Sequence, residues 1–169
     1  MTFPAPSAAA RPNLFGGVLA AIGGAVVGAI AWAVLVSVTD YKIGYAAIGV
    51  GALAGFAAGK VGKGAPQLPV AAAVIGVAGC FLGDLLIEAH AGAKVFGVSS
   101  ASLLTHHTKL VWEAYKYDFD ALSGVFYVIA AVAAFRLATQ HGLMHQQAQS
   151  AQTLPPPAAP PAPPADPTA

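Results

Sequence analysis

Four long apolar runs, separated by shorter polar segments, set the pattern of this chain. The runs cover approximately residues 14–38, 43–59, 69–87 and 122–138, and two carboxylates, Asp84 and Glu88, interrupt them. Each run is close to the length at which a helix rising about 1.5 Å per residue crosses a hydrocarbon core roughly 30 Å thick. The pattern therefore predicts an all-α integral membrane protein with four transmembrane helices arranged in two hairpins.

The connection between the third and fourth runs, residues 89–120, contains a further helical pattern. Over 102–117, apolar side chains recur on one face and charged side chains lie elsewhere on the wheel. The members of that face are Leu103, Leu104, His107, Leu110, Val111 and Ala114. Because the segment is too polar to span, we predict an amphipathic helix in the membrane interface, anchored by Trp112, Tyr115 and Tyr117.

Local residue types indicate where the predicted helices begin. Thr39 or Asp40 suits the N-cap of the second helix, and Pro69 suits the first turn of the third. Asp118 or Asp120 suits the N-cap of the fourth. The first run is longer than the apolar region of a signal peptide, so we expect a retained first helix, with cleavage as the alternative.

The chain divides into a membrane domain with a polar segment at each end. We predict a disordered leader at 1–13, a four-helix transmembrane domain at 14–140 and a disordered Gln/Pro/Ala-rich tail at 141–169. The proline-alanine stretch at 154–169 favours extended polyproline II or disorder. Such a stretch can bind an aromatic groove, but a solvated spacer is its more common role.

Composition supports a lipid-facing protein and excludes some partners. The 169 residues are 57% hydrophobic and 9% charged, whereas soluble domains carry roughly a quarter charged residues, so the lipid bilayer is the expected partner. A formal net charge of +1 gives no electrostatic footprint for nucleic acid. The single cysteine, Cys80, cannot form an internal disulfide.

The basic residues indicate an orientation in the membrane. Those nearest the span ends are Lys60, Lys63 and Arg136, and they favour two cytoplasmic termini.

Small residues recur at helical spacing on the first three runs. Lipid tails provide no hydrophobic drive for helix association, so helices associate where small residues allow their backbones to approach. The predicted packing positions are Gly24, Gly28, Gly51, Gly55, Gly59, Gly76 and Gly83. Packing inside the bundle is their most common role. A homodimer seam, or a docking face for another membrane protein, is the alternative.

Asp84 and Glu88 form a candidate polar site within the membrane. Their i, i+4 spacing places both on one helix face, and an acidic side chain at a span centre costs about 2.5–3.5 kcal/mol on insertion scales. One interpretation is a cation or proton site completed by His90, His106 or His107. The alternative is that both carboxylates lie at headgroup depth or pair with a basic residue, namely Lys94, Lys109 or Arg136.

Two segments resemble a group of small bacterial four-span membrane proteins of unknown function. Residues 38–51 fit the pattern xTxYxIGxxAIGxG, which in those proteins forms the hairpin between the first two spans. Residues 80–87, Cys-Phe-Leu-Gly-Asp-Leu-Leu-Ile, are similar to a second stretch found there. The resemblance covers roughly 14–138. It implies a bacterial inner membrane and brings no activity.

The sequence contains no catalytic constellation, cofactor motif or metal signature that names a reaction. We therefore expect a non-enzymatic membrane protein that associates, through its helices, with itself or with another membrane protein. A small ion or solute transporter or channel subunit using Asp84 and Glu88 is the alternative. A metal-dependent membrane enzyme at those residues and a histidine ranks third.

Overall fold

The computed structural model describes residues 12–41 and 44–153, with backbone alone at 149, 152 and 153. The described part of the chain consists of helices joined by short turns and loops, with no strand. Its six helices are α1 (Leu14–Thr39), α2 (Tyr45–Gly62), α3 (Leu68–Phe96), α4 (Ser100–His106), α5 (Thr108–Asp118) and α6 (Ala121–Thr153). The first three and the Ala121–Ala148 part of α6 are long and apolar enough to cross a membrane. The predicted all-α class is thereby confirmed, and four helices are candidates by length and composition to span a membrane, which indicates a multi-pass membrane protein.

The helix ends follow from local hydrogen bonding. The Asn13 side chain caps α1 by accepting a hydrogen bond from the Gly16 N–H at 2.9 Å. Asp40 ends α1 in the left-handed conformation, with φ 52°, and its N–H donates to the Val36 carbonyl. The prediction that Thr39 or Asp40 caps α2 is therefore wrong, since α2 begins at Tyr45 without a side-chain cap. Pro69 lies in the first turn of α3, as predicted.

Helix α6 begins at a side-chain cap and continues further than predicted. Asp120 Oδ1 accepts hydrogen bonds from the Ser123 N–H at 2.7 Å and the Ser123 hydroxyl at 2.8 Å, so Asp120 rather than Asp118 provides the cap. The predicted disordered tail at 141–169 is helical through residue 153. His141 packs edge-on against Phe56 of α2, with 5.1 Å between ring centroids, which gives this polar stretch a packing partner. Residues 154–169, and 1–11 of the predicted leader, lie outside the described residues.

The predicted single helix at 102–117 is two short helices that meet at His107. Leu103 and Val111 form a small buried cluster with Ala89 of α3, which confirms part of the predicted apolar face. Two other members of that predicted face, Leu110 and His107, are exposed.

The four long helices form a bundle in which α2 and α3 are central. These two helices contact each other, and each of them also contacts α1 and α6. Within the described helices, α1 and α6 do not touch. The short helices α4 and α5 pack on α3. The buried side chains of the bundle are mostly alanine, while large apolar side chains of α1 such as Phe15, Val27 and Val34 point outward. This arrangement, small inside and large outside, suits a lipid-facing bundle.

Each of the seven glycines predicted for helix packing lies against another helix of the same chain. They are Gly24, Gly28, Gly51, Gly55, Gly59, Gly76 and Gly83. A Cβ on Gly24 would lie 2.6 Å from the Leu53 carbonyl oxygen of α2, and one on Gly51 would overlap the Ala130 carbonyl group of α6. These positions therefore provide close packing inside the bundle.

Candidate functional site

Asp84 is the charged residue that the bundle buries most completely among those the structure describes, with 2% of its surface exposed. It lies on the face of α3 that meets α6. Its Oδ2 accepts a hydrogen bond of 2.6 Å from the Tyr127 hydroxyl of α6. That length is typical of a hydroxyl bonded to a carboxylate, which is roughly twice as strong as a bond between neutral groups. A carboxylate and a phenol are thus fixed together inside the apolar bundle.

A cavity of about 220 Å³ lies above this pair, near the end of the bundle where α1 gives way to α2. Its volume accommodates several waters at roughly 30 Å³ each, or one small solute. Its charged lining residues are Asp84, Asp118 and Asp120, and its aromatic lining residues are Trp32, Phe126 and Tyr127. Among the described residues that line it, there is no lysine, arginine or histidine. The described lining therefore combines carboxylates with aromatic rings.

Trp32 closes the cavity from the side of α1. Trp32 follows Gly28 and Ala29 on the inner face of α1, and it is only 4% exposed. Its ring lies over Gly83 of α3, where a Cβ would approach to within 2.7 Å. The buried indole Nε1 has no hydrogen-bond acceptor within residues 12–41 and 44–153. A donor of this kind beside a polar cavity is rare in folded proteins.

The rim carboxylate of Asp120 is held in its ionised form. The Ser123 backbone N–H, and then the Ser123 hydroxyl, lower the pKa of Asp120 below its usual value by hydrogen bonding to the carboxylate. The helix cap thus also places a negative charge at the mouth of the cavity.

The other residues predicted for the polar site lie elsewhere. Glu88 is half-buried and lines a cavity of about 170 Å³ between α3 and the short helices α4 and α5. His90 lines a third cavity, of about 310 Å³, together with Asp40 and Lys94. His106 and His107 are exposed at the junction of α4 and α5. The structure therefore does not bring Asp84 together with these histidines.

The three basic residues predicted as alternative partners are not among the described residues that line the Asp84 cavity. Lys94 forms a salt bridge of 3.1 Å with Asp40, across the exposed end of α1. Lys109 and Arg136 are exposed. Within the described part of the chain, no three His, Cys, Asp or Glu side chains gather closely enough to hold a metal ion. The metal-enzyme interpretation therefore gains no geometric support.

A chain of aromatic contacts connects α5 with the Asp84 pair. Phe81 of α3 packs against Tyr115 at 5.1 Å and Trp112 at 6.2 Å, measured between ring centroids. Tyr115 contacts Phe119 at 5.4 Å, and Phe119 contacts Tyr127 at 5.6 Å. Two of the predicted interfacial anchors are thus used differently: Tyr115 packs within the protein, whereas Tyr117 is 95% exposed.

Sequence reasoning found Asp84 but missed the residues that surround it. The sequence pattern does not single out Trp32, and Tyr127 stands in an otherwise apolar run without a marked partner. The sequence does contain an indication of the Asp84–Tyr127 contact. A tyrosine inside an apolar run needs a hydrogen-bond partner, and Asp84 is an acid that lies within another apolar run.

Comparisons of the chain with protein-family models, with curated proteins and with solved structures found no match.

Proposed function

We propose that this protein is a small transporter or channel subunit that binds an ion or solute at Asp84, and that it is not an enzyme. The observation that carries the proposal is the buried carboxylate hydrogen-bonded to Tyr127 beneath an acidic cavity. A carboxylate within a membrane-spanning helix is costly to insert, and such residues are usually retained for ion or substrate pathways. Asp84 is the proposed binding residue, whereas Glu88 lies in a separate cavity.

The proposal is tested by flux measurements on the full chain reconstituted in liposomes. Proton uptake and small-cation flux are compared between wild type, Asp84→Asn and the matched control Glu113→Gln, which neutralises an exposed acid outside the cavity. We expect Asp84→Asn to reduce flux at least tenfold, as loss of a buried charge partner commonly does, and Glu113→Gln to leave it unchanged. Equal flux in all three would refute the proposal.

A third variant tests whether a lysine near the cavity in sequence contributes to ion binding together with Asp84. The sequence carries Lys42 two residues before Gly44, a cavity-lining residue, although Lys42 itself lies outside the described residues. If Lys42→Gln alters the ion dependence of flux as Asp84→Asn does, the two side chains act as one unit. If it has no effect, Asp84 functions without it.

We further propose the arrangement in the membrane. The chain forms two hairpins in a bacterial inner membrane with both termini in the cytoplasm, and α5 lies in the interface. The support for an interfacial α5 is its buried Val111 facing α3, with Lys109 and Glu113 on its exposed side. Single cysteines introduced at Lys63 and Lys109 in a Cys80→Ala background are expected to react with impermeant reagents from opposite sides. Labelling from one side would contradict this topology.

Association with a second copy or another membrane protein is the second candidate function. Its support is the broad apolar face that α1 leaves exposed, including Phe15, Leu19, Val27 and Val34, since lipid or a partner helix can cover it equally well. The seven packing glycines no longer support it, because they face the protein's own helices. Native mass measurement after purification in mild detergent distinguishes the two, since a strict monomer without a retained partner would remove this candidate.

A further inference from the structure

A cavity of about 310 Å³ lies where the contact between α1 and α3 ends, apart from Asp84. Gly83 of α3 lies close to Ala29 of α1, and further along both helices Lys94 forms its salt bridge with Asp40. Both pairs are 54 positions apart, so the two helices run parallel and in constant register up to the ion pair. This ion pair lines the cavity, which we call the Lys94 cavity.

The lining of the Lys94 cavity combines ionic and polar groups with an apolar wall. Asp40, His90 and Lys94 provide the former, and Val36, Ile87 and Val95 belong to the latter. Among the described residues, none from α2 or α6 lines this space, so the cavity lies between α1 and α3 at the side of the bundle. A ligand there would contact a cation, an anion and apolar side chains together.

The position of the cavity along the helices is typical of lipid headgroup depth. The ion pair lies at the end of α1, directly after a helix that is long and apolar enough to span. Tyr41 and Tyr45 follow in the chain and are largely exposed. Tyrosine is enriched where the hydrocarbon core meets the headgroups. The charged part of the lining is therefore level with lipid phosphates.

We propose that the Lys94 cavity binds the headgroup of phosphatidylethanolamine. The lipid phosphate accepts hydrogen bonds from the Lys94 ammonium and from the N–H of the His90 ring, while the lipid ammonium donates to the Asp40 carboxylate. The start of an acyl chain lies against Val36 and Ile87. Because the bridge between Lys94 and Asp40 is exposed, it contributes little to stability, and the headgroup replaces it with two ionic contacts at small cost.

Size and charge favour this headgroup over other common ones. Phosphoethanolamine has about eight non-hydrogen atoms, which need on the order of 240 Å³ if each takes the space of a water molecule, and the cavity offers about 310 Å³. Phosphatidylglycerol carries no cation for Asp40. The choline ammonium of phosphatidylcholine has no N–H to donate. The inference needs the chain to lie in a membrane, and it does not depend on the proposed role of Asp84.

The test is native mass spectrometry of the purified, delipidated full chain in detergent. The chain is titrated separately with the dioleoyl forms of phosphatidylethanolamine, phosphatidylcholine and phosphatidylglycerol. We expect one molecule of phosphatidylethanolamine to bind about fivefold more tightly than either other lipid, since an exposed ionic contact is worth about that factor. Equal affinities, or tighter binding of phosphatidylglycerol, would overturn the proposal.

Variants of the ion pair separate the two ends of the headgroup. Asp40→Asn removes the acceptor of the ammonium and keeps a residue that tolerates the left-handed φ of 52°. It should weaken binding of phosphatidylethanolamine about fivefold without weakening that of phosphatidylglycerol. Lys94→Gln should weaken binding of both lipids, because both lose the partner of their phosphate.

A second exposed ion pair provides the matched controls. Lys116 and Glu113 form a bridge of 2.7 Å on α5, and neither is among the residues that line the Lys94 cavity. Lys116→Gln and Glu113→Gln should therefore bind each lipid as wild type does. If the variants of Lys94 and Asp40 lose no more affinity than these controls, the lipid does not bind in the cavity and the proposal fails.

A final arm separates a lipid from a soluble solute. Glycerophosphoethanolamine has the same headgroup without acyl chains, so it should compete only weakly because it loses the apolar contact with Val36 and Ile87. Competition at the same concentration as the lipid would assign the cavity to a soluble ligand and overturn the lipid assignment. The flux assays on Asp84 test the proposed function separately, since Asp84 is not among the described residues that line this cavity.

Discussion

A single methyl group added at Gly51 tests a close backbone contact between α2 and α6. A Cβ at this position would lie 2.7 Å from the carbonyl carbon of Ala130 and 2.9 Å from its Cα. Carbon atoms in ordinary contact are separated by about 3.5–4.0 Å, so α2 and α6 must part by about 1 Å. Both obstructing atoms belong to the backbone of α6, so no rotamer change relieves the overlap.

The expected cost follows from two opposing terms. Overpacking of a tight core costs about 1–3 kcal/mol, while replacing a helical glycine with alanine gains about 0.5–1 kcal/mol. We therefore expect Gly51→Ala to lower the free energy of unfolding by about 1–2 kcal/mol. Gly49→Ala is the matched control on the same helix, because a Cβ there would meet nothing within 4 Å. It should leave stability unchanged or raise it by up to about 1 kcal/mol.

The assay is reversible unfolding in mixed dodecyl maltoside and SDS micelles, followed by circular dichroism. Gly55→Ala provides an independent repeat, since its Cβ would overlap the Ala134 carbonyl group one turn further along α6. If Gly51→Ala and Gly49→Ala unfold at the same SDS fraction, the inferred close approach of α2 and α6 is incorrect.

Three further predictions concern individual side chains. Tyr127→Phe should cost about 1–3 kcal/mol, because Asp84 loses a buried donor, and the double variant with Asp84→Asn should cost less than the two single variants summed in the same unfolding assay. Folding lowers the pKa of Asp120, so its contribution to stability is present above the ordinary carboxyl pKa of about 4 and is lost as pH falls below it. Thermal melts from pH 7 to pH 3 should therefore show a smaller fall of the melting temperature with acid in Asp120→Asn than in wild type. The asparagine retains a capping side chain. Lys94→Gln should change stability by less than about 1 kcal/mol because its bridge to Asp40 is exposed, and a larger loss in urea or SDS titration would contradict that reasoning.

Most helix positions were predictable because apolar runs of membrane length have few alternatives to a spanning helix. The same reasoning fails after residue 138, where the rise in polarity predicts the end of the helix although α6 continues to Thr153. The stretch 139–153 contains five glutamines, two alanines, one leucine and one methionine, all of which are good helix formers. His141 also gains a contact with Phe56. Polarity marks where a helix leaves lipid, which is a different place from where it ends.

The site was predictable only in part, because its members come from four separate helices. Asp84 is visible in the sequence as a carboxylate in an apolar run. Its partner Tyr127 lies 43 positions away on α6, and no local spacing connects the two. The i, i+4 relation with Glu88 correctly places both residues on α3, but α5 packs over Glu88 and gives it a different cavity. Long-range packing, which a single sequence does not display, decides which acid faces the bundle.

The length of α6 has a consequence for whatever is attached beyond it. Its 33 residues extend about 50 Å at 1.5 Å per residue, whereas the hydrocarbon core is roughly 30 Å thick. The helix is therefore longer than the hydrocarbon core by about 20 Å, and Gln146 donates a hydrogen bond of 3.5 Å to the Gly64 carbonyl near its C-terminal end. A fluorescent protein fused after Thr153 would be held at a fixed height over the bilayer, and energy transfer to a lipid dye would measure that height.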